Sequence, residues 1–408
     1  MASSEPPAPA AAEVSDWTGG IASLLPENAD QATLVGRVWV PWMAGPSVVV
    51  VRNGVALDLS EHVATTSELV ECGLDVAKLE GPSLGALADL LANTPEDSRD
   101  LANPWLLSPI DLQVVKAAGV TFPISMLERL IEEKALGSLD AAISIRAGIL
   151  GSLGADLADL VPGSAEALRL KDHLLSKGLW SQYLEVGIGP DAEVFTKAPV
   201  LATVGTAVDV GIRSDSQWNN PEPEVVLVVA SDGRIVGATL GNDVNLRDIE
   251  GRSALLLGQA KDNNASASLG PLIRLFDEGF DLDTLRNETV TLRIDGADGY
   301  VLEASSHMSQ ISRDPADLVA QTLGARHQYP DGFVLYLGTM FAPTDDRGEV
   351  GHGFTHHRDD VVRIASPSLG ALVNRVRITE EVAPWEYGIG ALMSNLAKRG
   401  LIPRRALN

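Results

Sequence analysis

The chain has 408 residues, 45% of them hydrophobic and 21% charged, an ordinary globular composition with ample length to bury a core. Its formal net charge of -24 repels phosphate backbones and anionic lipid, which excludes nucleic acid and membrane surfaces as partners. Cys72 is the single cysteine, so an intrachain disulfide and a cysteine-built metal cage are excluded too, and a reducing cytoplasm fits.

The first residues, MASSEPPAPAAAEVSDW, have neither a basic start nor an apolar core, so they do not read as a secretory signal; their Ala, Pro and Glu bias predicts a disordered tail over 1–30. Residues 33–58 predict strands, with Asn53-Gly54 as a hairpin turn. Helical spacing follows near 65–72 and 83–93. Gly81 to Gly85 matches G-x-S-x-G, but VAKLE before it is a poor strand, so Ser83 is expected to cap a helix rather than act as a nucleophile. The polar stretch NTPEDSRDLANP closes a small N-terminal α+β domain, 31–104, ahead of a catalytic domain, 105–408. There IDLQVVKAAGVTF predicts a strand or two, while SMLERLIEEKA, LDAAISIRAGILGSLG and LRLKDHLLSKGLW predict helices. Strands dominate 183–250 and 287–378, DIEGRSALLLGQAKDNN holds a helical turn or two, and a helix closes the chain near 387–399. Strands and helices do not alternate, so the class is α+β with a mixed, mostly antiparallel sheet.

The most informative stretch is WNNPEPEVVLVVASDGRIVGATLGNDVNLRD, one hairpin with acids at its open end. If Asp232-Gly233 form a two-residue type I′ loop, Val229 faces Val236, Val225 faces Leu240 and Glu222 faces Asp243. Alternation then puts Glu224 on the face of Glu222, and three carboxylates share one patch. Such a trio raises its own pKa values unless a cation sits among it. An all-oxygen set without His or Cys suits Mg²⁺ or Mn²⁺; the other reading is a solvated hairpin end whose acids discourage edge pairing, and a one-residue slip would remove Asp243 from the patch. Lys261, in QAKDNNAS, reads either as a desolvated base or Schiff-base amine beside that site, or as a surface lysine paired with Asp262. His352, His356 and His357 in GHGFTHHRDD are expected on an exposed loop or an active-site rim.

Glu222-x-Glu224, Gly241-Asn242-Asp243-Val244 and Arg247-Asp248, followed in order by Lys261, Gly338-Thr339, Asp360-Val361-Val362 and Gly370 to Asn374, resemble the fumarylacetoacetate hydrolase superfamily. That resemblance implies a mixed β-roll fold, a divalent ion on Glu222, Glu224 and Asp243, a dimer or tetramer, and substrates that are 2-oxo acids or 1,3-diketones. Hydrolases of the superfamily carry a His-Glu dyad in a stretch that here reads Thr121 to Glu128, and Ser125 stands at the histidine's place. Serine alone is no general base near neutrality, although Glu128 could still orient a water. KAAGVTFPISMLERLIEE, GLWSQYLEVGIGPDAEVFTKAP and GRSALLLGQAKDNNAS are similar to the sugar-acid branch, the 2-keto-3-deoxy pentonate dehydratases. By matching positions Glu193 and Lys261 would be the acid/base pair, and Phe122, Ser125, Arg247 and Thr339 are candidate substrate contacts, with Arg247 pairing Asp248 or a nearby acid as its other reading. The implied reaction is dehydration of a pentonate derived from D-xylonate or D-arabinonate to 2,5-dioxopentanoate. The alternatives are an acylpyruvate-type C–C hydrolase or oxo-acid decarboxylase on the same site, or a catalytically silent sugar-acid binder.

Overall fold

The computed structural model describes residues 17–136, 138, 141, 142, 145, 160–176, 180–341, 343, 345–347 and 353–402. Eighteen strands are seen among them. The first seven are β1 (Leu34–Val40), β2 (Gly45–Arg52), β3 (Val55–Asp58), β4 (Ser83–Ala86), β5 (Trp105–Leu107), β6 (Val114–Gly119) and β7 (Glu193–Ala198). The next six are β8 (Val208–Ile212), β9 (Asn219–Asn220), β10 (Pro223–Val229), β11 (Ile235–Asp243), β12 (Asn245–Leu246) and β13 (Ala267–Leu275). The chain closes with β14 (Thr289–Asp295), β15 (Val301–His307), β16 (Phe333–Tyr336), β17 (Val361–Ser366) and β18 (Gly370–Ile378).

Eleven of them form one mixed sheet in the order β4-β3-β2-β1-β13-β11-β10-β16-β6-β7, with β5 on β1; β16 and β6 are its parallel pair. A second sheet of five runs β15-β14-β17-β18-β8, and β9 pairs β12 in a short ribbon. The N-terminal strands therefore extend the sheet that carries the acids, through the β1–β13 pairing of Leu34 with Arg274 and Val35 with Ile273. Among the described residues no helix is long and apolar enough to cross a membrane.

Every residue of β10 is buried, which is why PEVVLVV reads as a continuous apolar run rather than an alternating one. Its two faces still separate by parity. Val225, Leu227 and Val229 pack with Leu292, Ile294 and Val362 of the second sheet, while Val226 and Val228 pack with Val48, Leu69 and Val70 of the N-terminal segment. Helix α1 (Thr66–Glu71) covers that second face, its first turn capped by the Thr65 side chain on Glu68 N–H. Further along come α2 (Leu87–Ala92) and α3 (Pro123–Ala135), the latter begun by a proline and ended by Leu136 in the left-handed region. Helix α4 is Ala165–Ser176 and α5 is Gln182–Ile188, with the Ser181 hydroxyl accepting from Tyr183 and Leu184 N–H.

The structure corrects several sequence expectations. Asp232-Gly233 do not make a two-residue loop: Ala230 N–H bonds Arg234 O and Gly233 N–H bonds Ala230 O, so Ser231-Asp232-Gly233 form a three-residue turn with Gly233 at φ 91°. Val229 consequently pairs Ile235 rather than Val236, and a bulge between Val228 and Val229 restores the expected register from Val228–Gly237 onward. Ser83 opens strand β4 instead of capping a helix, because β3 takes up the 83–86 segment by antiparallel pairing. The tail prediction fails over 17–30, where Leu24 is fully buried and bonds Ala371, whereas residues 1–16 lie outside the described residues. The helical expectation over 139–154 falls largely outside them as well, as does His352. Residues 182–188 and Pro315–Thr322 are helical within stretches read as strand; the second is capped by Asp314 onto Ala316 N–H.

Candidate active site

The bulge keeps the hairpin's open end in register, and Asp243 N–H bonds Glu222 O at 3.0 Å. Glu224 faces Gly241, where any Cβ would lie 2.4 Å from Tyr336 Cε1; only glycine leaves room there for the tyrosine ring. Glu222, Glu224 and Asp243 are all buried, with one carboxylate oxygen of each inside a sphere of contacts no wider than 4.8 Å. The solvated-hairpin reading is thereby overturned.

Three further elements converge on the trio. Helix α3 presents Ser125, Arg129 and Glu132 on one face, four and three residues apart. Arg129 bonds Glu222 Oε1, and it reaches Glu132 Oε2 at 2.8 Å and Glu250 Oε2 at 2.7 Å. Glu250 ends the short helix α6 (Arg247–Glu250), and Lys261 ends α7 (Leu257–Lys261). Lys261 is buried and does not pair with Asp262. Its ammonium bonds Glu222 Oε2 and Asp243 Oδ2, the latter at 3.1 Å, and lies 3.9 Å from Glu250. From β7, the fully buried Lys197 sits 2.8 Å from Asp243 Oδ1 and donates to the backbone oxygens of Val244 and Lys261. The turn after β16 completes the site: Gly338 N–H donates to Glu224 Oε2 at 2.7 Å and the Thr339 hydroxyl lies 3.4 Å from Oε1. Gly338 has φ 104°, and a Cβ there would meet Thr121 Oγ1 at 2.0 Å.

Burial sets the direction of most ionisations. It pushes the Glu224 carboxyl well above its ordinary range, and Asp243 and Glu222 push it further, against the Gly338 N–H. Burial would raise Asp243 too, but Lys197 and Lys261 hold it below its ordinary value. Burial pulls the Lys261 ammonium down, yet Asp243, Glu222 and Glu250 together keep it above the usual lysine range, so here it is a cation. Arg129 behaves likewise among Glu222, Glu250 and Glu132, whereas burial lowers Lys197 despite Asp243. Glu193 is pushed up to about 7, first by burial and then by the charge of Glu250, with Arg129 and Lys261 opposing.

Among the described residues six carboxyl groups (Glu132, Glu193, Glu222, Glu224, Asp243, Glu250) thus meet four cations (Arg129, Lys197, Arg247, Lys261), two more acids than cations can neutralise, and the raised Glu224 and Glu193 are where that surplus takes up protons. Asp243 Oδ1 touches Lys197 without an aligned hydrogen bond, leaving a lone pair to give. Three oxygen donors and two acids in excess of the cations fit a hard divalent ion, which would take the place of those protons.

The acids, Lys261, Arg129, Ser125, Glu193 and Thr339 line an inner cavity of about 10 Å³, room for about one water. Glu193 and Glu250 also line a second chamber of about 130 Å³, walled by Gln182, Tyr183, Val186, Ala254 and Leu257. A larger cavity of about 510 Å³, beside Tyr329 and Leu392, contains none of these groups and has no acid cluster to recommend it.

The structure therefore brings together Glu222, Glu224, Asp243, Lys261, Glu193, Ser125 and Thr339. Ser125 turns its hydroxyl back onto Phe122 O at 2.9 Å. Phe122 belongs to the apolar core, and Glu128 is buried on α3; neither lines the inner cavity, where the neighbouring Arg129 does. Arg247 is buried outside it too, bonded to Asn220 Oδ1 at 2.7 Å and 3.2 Å from Glu132, while Asp248 bonds Ser216 instead. His356 is not on an exposed loop: it is buried against Asp360, while His357 is exposed. Sequence reasoning missed Arg129, Glu132, Lys197 and Glu250. The available signal was Ser125, Arg129 and Glu132 at helical spacing on one face of α3, beside the apolar Met126, Leu127, Leu130 and Ile131.

Residues 188–377 match the family model for the C-terminal domain of fumarylacetoacetate (FAA) hydrolase. A 2-dehydro-3-deoxy-D-arabinonate dehydratase of Saccharolobus solfataricus is 32% identical over 188 residues, 45% of this chain and 58% of that protein. A protein of Haloferax volcanii described as "Probable 2-keto-3-deoxyxylonate dehydratase" is 33% identical over 195 residues, 48% of this chain and 63% of that protein. The chain thus spans less than two thirds of the length of these curated relatives. A solved 2-keto-3-deoxy-D-arabinonate dehydratase, complexed with magnesium and 2,5-dioxopentanoate, superposes with a TM-score of 0.58 over 85% of this chain and 99% of that one at 20% identity, which shows a shared α+β fold. The three acids, Glu193, Lys197, Lys261 and Thr339 all lie within residues 188–377, the segment that matches the fumarylacetoacetate hydrolase C-terminal family model.

Proposed function

We propose that this protein is a divalent-metal-dependent hydro-lyase that removes water from a 2-keto-3-deoxy pentonate, derived from D-xylonate or D-arabinonate, and yields 2,5-dioxopentanoate. The observation that carries the reading is the buried trio Glu222, Glu224 and Asp243 beside Lys261, in a cluster where the described acids outnumber the cations by two. The names of the two relatives and of the magnesium-bound neighbour support the same chemistry. Mg²⁺ or Mn²⁺ would be held by the trio and would supply Lewis-acid polarisation of the 2-keto group, making the C3 protons more acidic.

The chain's own groups divide the proton work. Glu193, poised at about 7, is matched to taking a C3 proton near neutrality. Lys261, kept as an ammonium, is matched to giving one to the departing C4 hydroxyl. The C3–H and C4–O bonds break, a C3–C4 double bond forms, and one water leaves. A proton shift from C5 to C3 then leaves a C4–C5 enol, and passage of the O5 hydroxyl proton to C4 turns that enol into the C5 aldehyde. An ammonium engaged by Glu222 and Asp243 favours this role over a Schiff base. Hydrolysis is disfavoured by Ser125, whose hydroxyl is committed to Phe122 O.

The test is incubation with 2-keto-3-deoxy pentonates and hexonates plus Mg²⁺, reading product mass. Loss of one water with release of an aldehyde is expected for a pentonate. Pyruvate or bicarbonate would identify the hydrolase or decarboxylase, and thermal stabilisation by the acid without turnover would identify a binder.

A further inference from the structure

The inner cavity and the chamber beside it meet at Glu193 and Glu250, which line both. The inner cavity has room for about one water, so a five-carbon acid that reaches Glu222, Glu224 and Asp243 must extend out of it. The remaining carbons need adjoining space, and the chamber of about 130 Å³ provides it across Glu193 and Glu250. A cavity of about 150 Å³ is enough for a benzene-sized guest of six heavy atoms. The part of a 2-keto-3-deoxy pentonate beyond its keto carbon is three carbons and two hydroxyl oxygens, which is close to that size.

We propose that this chamber is the subsite for the hydroxylated tail of the substrate, with Tyr183 and Val186 of α5 as the residues that select among tails. The proposal rests on the dehydratase reading above. Tyr183 is suited to the task by placement: α5 packs on α3, and the ring stands in the field of Glu250, Arg129, Glu132 and Glu193. Burial, then the charge of Glu250, keeps its phenol above the ordinary tyrosine range, so it remains a neutral hydroxyl able to donate to a sugar hydroxyl. Val186, half-buried on the next turn, and Leu257, at the start of α7, supply apolar wall for the C4–C5 carbons. Gln182 and Ala254 stand at the exposed rim, where an added CHOH of a hexonate would emerge from the chamber.

The experiment uses the full chain with Mg²⁺ and two probes: a 2-keto-3-deoxy pentonate, read by dehydration, and 2-oxobutanoate, which has no hydroxylated tail, read by exchange of its C3 protons in deuterium oxide. Val186→Trp fills the chamber and is expected to lower kcat/KM for the pentonate about tenfold relative to the 2-oxobutanoate exchange rate. Tyr183→Phe, which keeps the ring and guards against a misfolded tryptophan variant, is expected to lower the same ratio about fivefold, chiefly through KM. A ratio unchanged in the folded variants, with both probes falling together or neither falling, overturns the subsite. Failure of the dehydratase reading shows separately, as unsubstituted protein that neither dehydrates the pentonate nor exchanges 2-oxobutanoate, and it overturns the subsite with it.

Discussion

Two buried ion networks differ in one respect. Around Asp360, Arg347 donates twice to the carboxylate, at 2.5 and 2.7 Å, His357 N–H adds a third bond, and His356 Nδ1 lies at 3.2 Å. Burial lowers the His356 imidazole below its ordinary value, so it is neutral, and one buried cation answers one buried anion. Around Glu222, six carboxylates face four cations and Glu224 is forced toward its protonated form. Fold stability alone explains the first arrangement. It does not explain the second, because a carboxyl that its buried neighbours force to hold a proton costs free energy, and selection for stability alone would remove it. The surplus of acids over cations is the signature of a ligand that brings positive charge.

The largest effect that can break this contrast is on turnover. Lys261→Ala is expected to lower kcat at least about 10³-fold while Mg²⁺ binding, followed by calorimetry, persists. Retained activity would remove Lys261 from the chemistry and leave it as a counter-charge only. Next come the networks themselves. Asp360→Asn breaks the buried pair with Arg347 and should cost about 3–5 kcal/mol in urea unfolding, with or without Mg²⁺. Glu224→Gln resembles the protonated state that Glu224 already favours without an ion, so it should cost under about 1 kcal/mol in ion-free protein. It should nonetheless abolish the stabilisation by Mg²⁺, about 2.7 kcal/mol at a hundredfold excess over Kd in the unsubstituted chain. Equal Mg²⁺ responses in the two variants would refute the distinction.

How much of this was legible follows from how local each signal is. The trio was readable because a hairpin fixes partner and face with one register, and the bulge at Val228/Val229 happened to restore the parity that the misread turn would have lost. Lys261 was readable only as a candidate, since nothing nearby in sequence says whether a lysine is buried. Arg129 and Lys197 escaped because their partners lie 93 and 46 positions away, Glu222 and Asp243 respectively, and no local period announces a long-range ion pair. Ser83 was misread for the same reason: its strand exists through pairing with β3, not through its own propensity. His356 was misread because GHGFTHHRDD is polar by composition, while burial there is decided by Arg347 and Asp360.

A smaller effect tests the poise of Glu193. Its folded carboxyl is raised from 4.5 to about 7, so the folded state holds more protons than the unfolded one between those values. Stability contributed by the protonated group is therefore full below about 4.5 and lost as pH rises through about 7. Because this half-buried side chain opens onto the chamber, the loss should be about 1–3 kcal/mol rather than the full shift. Glu193→Gln should flatten that part of the ion-free stability profile, and an unchanged slope would show that Glu193 is ordinary.

The smallest effect concerns the closed network. His356→Gln removes one contact from Asp360, whose two Arg347 bonds and one backbone bond remain. Nε2 has no partner to lose, so the cost should be about 1 kcal/mol in urea unfolding, with turnover within twofold of the unsubstituted chain. A tenfold fall in kcat at unchanged stability would mean that the Asp360–His356 pair acts on the reaction. Electroneutrality would then have failed as the criterion separating scaffold from site, and the unpartnered Nε2 would be the atom to follow.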